Sequence, residues 1–167
     1  RAYIRPVHVE YAVSKGINVF MEKPFASDPG GLHRLLRVGE EADKKGVRIL
    51  AGLQCRHSPA RQALIDKIRN GEMGDITYSR ANRLGGAGWL GNPGPKANDL
   101  MSQLQFGRIH LFWIGSGHMT DYLIHQIDEC SWMKDAWPVE AHAVGGRHYR
   151  GDSLDQNFDT YSVQYTY

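Results

Sequence analysis

The feature that most constrains the fold is an alternation of helical segments and short apolar strands near the start of the chain. Residues 6–15 predict a helix, and residues 17–21 form an apolar run typical of a buried strand. A second helix, capped by Ser27 or Asp28, and a second buried strand at residues 47–53 follow. Strands separated by helices pair in parallel through crossover connections, so this region predicts part of a doubly wound nucleotide-binding sheet.

The second helix and the rest of the chain carry weaker patterns. Its apolar stripe is predicted to comprise Leu32, Leu35, Leu36, Gly39 and Ala42. We expect a helix from Pro59 with Ser58 as its cap, a strand at 75–84, a helix at 117–134, and strands at 141–144 and 160–167. Residues 85–95 form a Gly-, Asn- and Pro-rich loop of a length that often binds a ligand or covers a site.

Composition excludes several classes of function. Twenty basic and 18 acidic residues leave a net charge of +2, which gives no electrostatic footprint for nucleic acid or an anionic membrane. No apolar run approaches the ~20 residues that span a bilayer. Cys55 and Cys130 form no CxxC pair, which favours a reduced, cytoplasmic setting. The chain starts at Arg1, so a targeting segment upstream stays open.

Lys23 is the first candidate for chemistry. It directly follows a predicted buried strand, between Glu22 and Pro24. Ligands of open α/β sheets bind at the carboxyl ends of the strands, so a lysine there faces the crevice. Pro24 restricts Lys23 to an extended backbone. A surface lysine at a strand end is the alternative interpretation.

Asp121 and His125 form a second candidate pair. They stand four residues apart in a predicted helix and share one face. A histidine suits general base catalysis near neutrality, and a carboxylate beside it orients the ring. A capping or surface pair on an amphipathic helix is the alternative, and the pair taken alone favours it. His118 and Glu129 fall near the same side, which leaves a zinc site as a rival interpretation. Without a His-Glu-x-x-His motif or a remote cysteine pair, we predict no metal.

Three further residues have weaker positional arguments. Gln54 and Arg56 follow the second buried strand and are expected to face the same crevice. Arg56 has the alternative of pairing with a nearby carboxylate. Trp89 lies in the Gly-rich loop, where stacking on a sugar and packing in a core or interface are equally open.

Four motifs run along nearly the whole chain, as GINVFMEKP (16–24), GLQCRHSP (52–59), GEMGDI (71–76) and GHMTDYLIH (117–125). Together, in this order and spacing, they resemble the glucose–fructose oxidoreductase / inositol dehydrogenase (Gfo/Idh/MocA) family. The resemblance implies a partial Rossmann domain at residues 1–56 and, at residues 57–167, a partial α/β domain with an open, mostly antiparallel sheet. It also implies homo-oligomers built on that sheet.

The resemblance assigns roles to individual residues. Lys23 corresponds to the family lysine between cofactor and substrate, and Asp121 and His125 correspond to its Asp-x-x-x-His, which binds substrate and takes part in catalysis. Position in the chain, rather than the resemblance, is the basis for predicting that Glu22, Gln54 and Arg56 bind the cofactor with Lys23 and that Trp89 binds the substrate. The consecutive glycines that usually precede this motif are replaced here by Gly115-Ser116-Gly117.

The resemblance also implies that this chain is a fragment. The family's glycine-rich phosphate loop precedes the region corresponding to Arg1, so we expect weak or absent binding of NAD or NADP by this chain alone. Because the alternating strand at 160–167 ends without a turn, we expect further strands after it.

These observations predict an NAD(P)-dependent dehydrogenase acting on a sugar, polyol or related hydroxyl compound. In this hypothesis His125 takes the hydroxyl proton, Lys23 polarises the product carbonyl, and Asp121 holds the substrate or the imidazole. The alternatives are an NAD-dependent glycosidase of the same fold, a non-catalytic scaffold and, with less support, a metal-dependent hydrolase.

Overall fold

The computed structural model describes residues 1–85, 99–107, 109–151 and 155–167, which form two compact units. The first unit comprises Arg1–Gly52, Asn92–Asp121 and Asp152–Asn157, and the second comprises Leu53–Gly91, Tyr122–Gly151 and Phe158–Tyr167. These units describe packing within the chain. The division into domains at residue 56 stays a prediction.

The first unit is built on a parallel βαβ arrangement. Helix α1 (Arg5–Ser14) leads into strand β1 (Val19–Glu22), and helix α2 (Pro29–Lys45) leads into strand β2 (Ile49–Gly52). The two strands pair in parallel, with Val19 opposite Ile49 and Glu22 opposite Gly52. The predicted parallel sheet is therefore confirmed, with each strand shorter than its apolar run.

The core of this unit lies between the helices and one face of the strands. Its buried members are Val9, Val13, Leu35, Val38, Ala42 and Val47, packed against the half-buried Val19, Met21 and Ile49 among others. The predicted stripe of α2 was wrong in part, because Leu32 and Leu36 are exposed and Val38 is buried. The sequence offers apolar residues on both sides of this helix, and packing against α1 selects the side that carries Val38.

The ends of α2 form as the sequence predicts. Asp28 is the N-cap, and its carboxylate accepts a hydrogen bond of 2.8 Å from the main-chain N–H of Gly31. Gly46 ends the helix at φ 68°, a left-handed conformation that a side chain would disfavour. These signals are local, so neither depends on what the helix packs against.

Two short helices of the first unit were not predicted. Helix α4 (Leu100–Phe106) begins at the N-cap Asp99, whose carboxylate accepts hydrogen bonds from the N–H groups of Met101 and Ser102. Helix α5 (Phe112–Gly115) has only four residues and ends at Ser116 in a left-handed conformation. Both are too short to show an apolar period in the sequence.

The second unit combines two helices with an antiparallel strand pair. A 3₁₀ turn (Gln54–His57) precedes helix α3 (Pro59–Arg69), and the π-helical turn Met119–Leu123 continues into helix α6 (Ile124–Lys134). Strands β3 (Glu140–Gly146) and β4 (Thr160–Thr166) pair antiparallel, which confirms the second sheet. Ser58 is the N-cap of α3, but its side chain makes no capping hydrogen bond.

The strand predicted at residues 75–84 was wrong. These residues are described and form neither strand nor helix. Tyr78 and Leu84 are exposed, at 79% and 93%. The alternation of apolar and polar residues is a property of one segment alone. A strand also needs a neighbouring strand that pairs with its main-chain N–H and C=O groups. Within the described ranges no strand pairs with this segment.

None of the helices described here has both the length and the apolar character needed to cross a membrane.

Replacing Asp28 with alanine should lower the free energy of unfolding of the intact protein by about 1 kcal/mol, because the Gly31 N–H loses its acceptor. Hydrogen bonds from Gly31 and Ser27 hold the pKa of Asp28 below its ordinary value. The contribution is therefore present above the carboxyl's unfolded pKa and disappears as pH falls through the lower folded value. Chemical denaturation of Asp28→Ala and Glu41→Ala at neutral and acidic pH measures this. Equal losses in both variants at neutral pH would contradict the capping role.

Candidate active site

Lys23 and Asp121 form an ion pair in the first unit, although 98 positions separate them in the chain. The Lys23 ammonium donates to Asp121 Oδ1 at 3.0 Å and also to the main-chain oxygen of Asp121. The side chains are 20% and 7% exposed. Lys23 follows the carboxyl end of β1, as the crevice argument predicts, and its peptide bond to Pro24 is cis.

The segment that leads to Asp121 is held by side-chain hydrogen bonds to main-chain groups. The Ser116 hydroxyl donates to the Ala26 carbonyl at 3.0 Å, and the Thr120 hydroxyl donates to the carbonyls of Ser116 and Gly117. Asp121 itself is only 5% exposed. Its Oδ2 atom accepts no hydrogen bond from the part of the chain that the structure describes.

Asn157 fixes the same segment from the other side. It is fully buried, its Oδ1 accepts from the His118 N–H at 2.7 Å, and its Nδ2 donates to the Ile109 carbonyl and to Asp155. A side chain at Gly117 would overlap Asn157 Oδ1, and the residue has φ 78°. Glycine is therefore required at 117 for two reasons.

Lys23 and Asp121 line one side of an open cleft of about 720 Å³ in the first unit. Two basic residues, Arg1 and Arg5, and the acidic Glu22 also line the cleft. The other described residues of the lining are Ala2, Pro24, Gln105, Ile109, Ile114 and Gly115. A cleft of this volume accommodates a small ligand. The lining combines apolar and charged residues, so it suits a partly apolar ring bound next to a polar compound.

Arg5 is a cleft residue that the sequence analysis missed. It is the first residue of α1, it is half-buried, and its Nη1 has no hydrogen-bond partner among the described residues. Burial lowers the pKa of the Arg5 guanidinium, and the charges of Glu22 and Asp121 oppose that shift. No motif marks Arg5, because its significance comes from the position of α1 beside the cleft.

Glu22 also lines the cleft, and its position depends on the glycine opposite. A Cβ atom at Gly52 would lie 2.7 Å from the Glu22 carboxyl carbon. Glycine at 52 thus lets the Glu22 side chain cross its neighbouring strand.

The remaining predicted residues belong to the second unit or lie outside the described residues. His125 is half-buried in α6 and Gln54 is exposed in the 3₁₀ turn. Trp89 lies outside the described residues. The roles of all three stay predictions.

Arg56 is engaged by α6 within the second unit. Its guanidinium donates to both carboxylate oxygens of Asp128, at 2.8–3.0 Å, and lies 5.2 Å from the centre of the Trp132 ring. The Asp128 side chain is 9% exposed. This is the carboxylate pairing that the sequence left open as an alternative, and it gives Arg56 a structural contact. Its assignment to the cofactor stays a prediction.

Two other sequence interpretations concern metals and phosphates. Within the described ranges no three His, Cys, Asp or Glu side chains come close enough together to hold a metal ion. The spacing Gly86-x-Gly88-x-x-Gly91 does occur, in the Gly-rich stretch outside the described residues. A dinucleotide fingerprint requires a strand directly before it, and residues 75–85 form none. We therefore do not assign phosphate binding to it.

Comparison with solved structures supports the same fold. The chain is similar to myo-inositol 2-dehydrogenase from Lactobacillus plantarum, with a TM-score of 0.62 and 23% identity over 87% of this chain. It is also similar to an oxidoreductase domain protein from Kribbella flavida, with a TM-score of 0.72 and 20% identity over 87%. The aldose–aldose oxidoreductase from Caulobacter crescentus, complexed with glycerol, gives 0.70 and 14% over 98%.

The chain covers 39%, 36% and 44% of the length of these three proteins, respectively. No protein-family model matches the chain, and no curated protein sequence matches it. The neighbours are oxidoreductases of the Gfo/Idh/MocA type, so the resemblance seen in the motifs is confirmed at the level of the fold. The α/β fold with a Rossmann-like part is confirmed with it.

Replacing Gly52 with alanine should displace the Glu22 carboxylate and leave the free energy of unfolding within about 1 kcal/mol of the parent, since the displaced group is a flexible side-chain end. If Glu22 contacts the cofactor, the dissociation constant for NADH of the intact protein should rise about three- to tenfold. Fluorescence titration measures it. Gly39→Ala is the control, because open space surrounds that position. An unchanged affinity in Gly52→Ala would remove Glu22 from the cofactor site.

Substituting Arg56 with lysine should lower the free energy of unfolding by about 1–2 kcal/mol, because lysine cannot reproduce the two-pronged contact with Asp128. If Arg56 serves only this structural contact, the affinity for NADH should stay within about twofold, whereas a cofactor contact would weaken it more. Denaturation and fluorescence titration of the intact protein give both quantities. Lys67→Arg is a surface control, since Lys67 is 63% exposed in its pair with Glu72. A large loss of NADH affinity with unchanged stability would favour the cofactor role instead.

Proposed function

We propose that the protein to which this chain belongs is a nicotinamide-dependent oxidoreductase that acts on a hydroxyl group of a sugar or polyol. The observation that carries the proposal is the buried Lys23–Asp121 ion pair beside a cleft at the carboxyl end of β1. The oxidoreductase neighbours support the reaction class. The assignment of a sugar or polyol as substrate rests on the motif resemblance and on two neighbours, a myo-inositol 2-dehydrogenase and an aldose–aldose oxidoreductase.

The cleft fits the nicotinamide end of such a cofactor. Ala2, Pro24, Ile109 and Ile114 supply apolar lining for a planar ring, and Lys23 lines the same cleft. Asp121 Oδ2 is a buried acceptor that no described residue satisfies, so a ligand that donates a hydrogen bond suits it. When bound, NAD or NADP supplies the hydride acceptor or donor. Groups for the cofactor's phosphates are not assigned to any described residue.

Within this proposal Lys23 positions the reacting oxygen. Asp121 fixes the ammonium at the cleft through Oδ1 and its main-chain oxygen, which places a positive charge beside a ligand oxygen bound there. A cation there favours the negative charge that develops on the oxygen as its proton leaves. Asp121 also helps to orient the substrate through Oδ2.

His125 is proposed as the proton acceptor on the strength of the motif alone. It belongs to the second unit, and its role rests on the resemblance of Asp121-x-x-x-His125 to the family pattern. The neutral imidazole of a histidine can accept a proton from a substrate hydroxyl.

In the intact protein, Lys23→Met should lower kcat with a polyol substrate by about 10²–10⁴-fold, the range that a positioned proton-transfer group contributes. The KM for the cofactor should change far less. His125→Ala should show the same pattern, and a steady-state assay of nicotinamide reduction measures both variants. Lys44→Met, an exposed lysine of α2, is the matched control.

Loss of Lys23 leaves the Asp121 carboxylate buried without its cation, which is destabilising in itself. The double variant Lys23→Met/Asp121→Asn removes that charge and separates lost chemistry from lost folding, with thermal melting as the readout. Turnover of Lys23→Met close to the parent value would contradict the role of Lys23. Absence of nicotinamide reduction with every sugar and polyol tested would overturn the proposed function.

A further inference from the structure

Arg5 lies at the cleft with no part in the proposed reaction. Its Nη1 atom is buried and has no hydrogen-bond partner within the described ranges. Lys23, another cation of the cleft, is already held by Asp121. Arg1 directs its guanidinium to the main-chain oxygen of Gln105 at 3.3 Å. Among the three basic residues described at the cleft, Arg5 is the one with a buried donor atom that lacks a partner.

Burying a guanidinium nitrogen without a partner is unfavourable, because the group loses water and gains nothing in exchange. Burial accordingly lowers the pKa of Arg5, and the nearby charges of Glu22 and Asp121 only partly compensate. Neither carboxylate is within hydrogen-bond distance of Nη1. A ligand that brings an oxyanion to Arg5 would satisfy both its charge and its donors.

We propose that Arg5 binds a carboxylate or phosphate group of the substrate, so that the substrate class is an acidic sugar or a sugar phosphate. The inference rests on the proposed function, because it names the substrate of that same cleft. A guanidinium presents two parallel N–H groups that match both oxyanions. The hydroxyl to be oxidised then lies toward Lys23 and Asp121, and the oxyanion toward Arg5.

The two acidic residues of the cleft are compatible with this arrangement. Lys23 neutralises Asp121 through their ion pair. Glu22 is exposed, so water screens its repulsion of a ligand anion. Among the described residues that line the cleft, three are basic and two are acidic, a balance that favours an anion.

The test is calorimetric titration of the intact protein, with the nicotinamide cofactor present, using D-gluconate, D-glucuronate, D-glucose 6-phosphate and neutral D-glucose. We expect at least one acidic compound to bind more tightly than D-glucose. Arg5→Gln should weaken its binding about 10- to 100-fold and leave D-glucose unchanged. Arg37→Gln, an exposed arginine of α2 in the same unit, should change neither. Comparing D-gluconate and D-glucuronate with D-glucose 6-phosphate shows whether the bound oxyanion is a carboxylate or a phosphate.

Three outcomes would overturn the inference. One is that no acidic compound binds more tightly than D-glucose, a comparison that needs no variant. Another is that Arg5→Gln weakens the acidic and neutral compounds equally, or weakens only the cofactor. The third outcome applies if Arg5→Gln does not fold and Arg5→Lys, which keeps the charge, is measured instead. If Arg5→Lys prefers the acidic compound over D-glucose as strongly as the parent protein does, the proposed two-pronged contact is excluded. Calorimetry measures binding directly, whereas the proposed function is tested by turnover. Failure of the inference can therefore be distinguished from failure of the proposed function.

Discussion

The ion pair between Lys23 and Asp121 is the interaction on which the candidate site depends. It connects the end of the first strand to a helical turn almost one hundred residues later, inside the same packed unit. Such a pair is favourable only when its remaining polar atoms are also satisfied, because both charges have left water. The Asp121 main-chain oxygen completes part of that shell, and the segment before it is held by Ser116, Thr120 and Asn157. The chemistry therefore rests on a polar network rather than on the apolar core.

Local signals explain why part of the fold was predictable. Asp28 and Gly46 set the ends of α2 through their own side-chain and backbone properties, whatever surrounds them. The choice between Leu36 and Val38 is different in kind. Both positions are apolar, and packing of α2 against α1 and the strands buries Val38 and leaves Leu36 exposed. Likewise, alternation at residues 75–84 describes a strand without stating whether a neighbour exists to pair with it.

The same contrast between local signals and tertiary packing explains which residues of the candidate site were predicted. Lys23 was found because strand ends in parallel sheets face a common crevice, and Asp121 was found because its motif is carried in sequence order. Arg5 escaped because a lone arginine before a proline has no distinctive pattern, and its importance comes from what surrounds it after folding. Asp155 and Asn157 escaped for the same reason, since nothing in the sequence marks them as the anchor of a loop some forty residues earlier.

The interleaving of the two units has a consequence for how the chain can be divided. The chain passes from one unit to the other at residues 52, 91, 121, 151 and 157, so neither unit is a single continuous stretch. A gene cut after residue 56 would express the strand that presents Lys23 without Asp121, Asn157 or the helices that line the cleft beside them. Recombination or truncation at that point would separate the lysine from the residues that orient it. Residues 1–157 therefore have to be engineered as one piece if Lys23 is to keep its contacts.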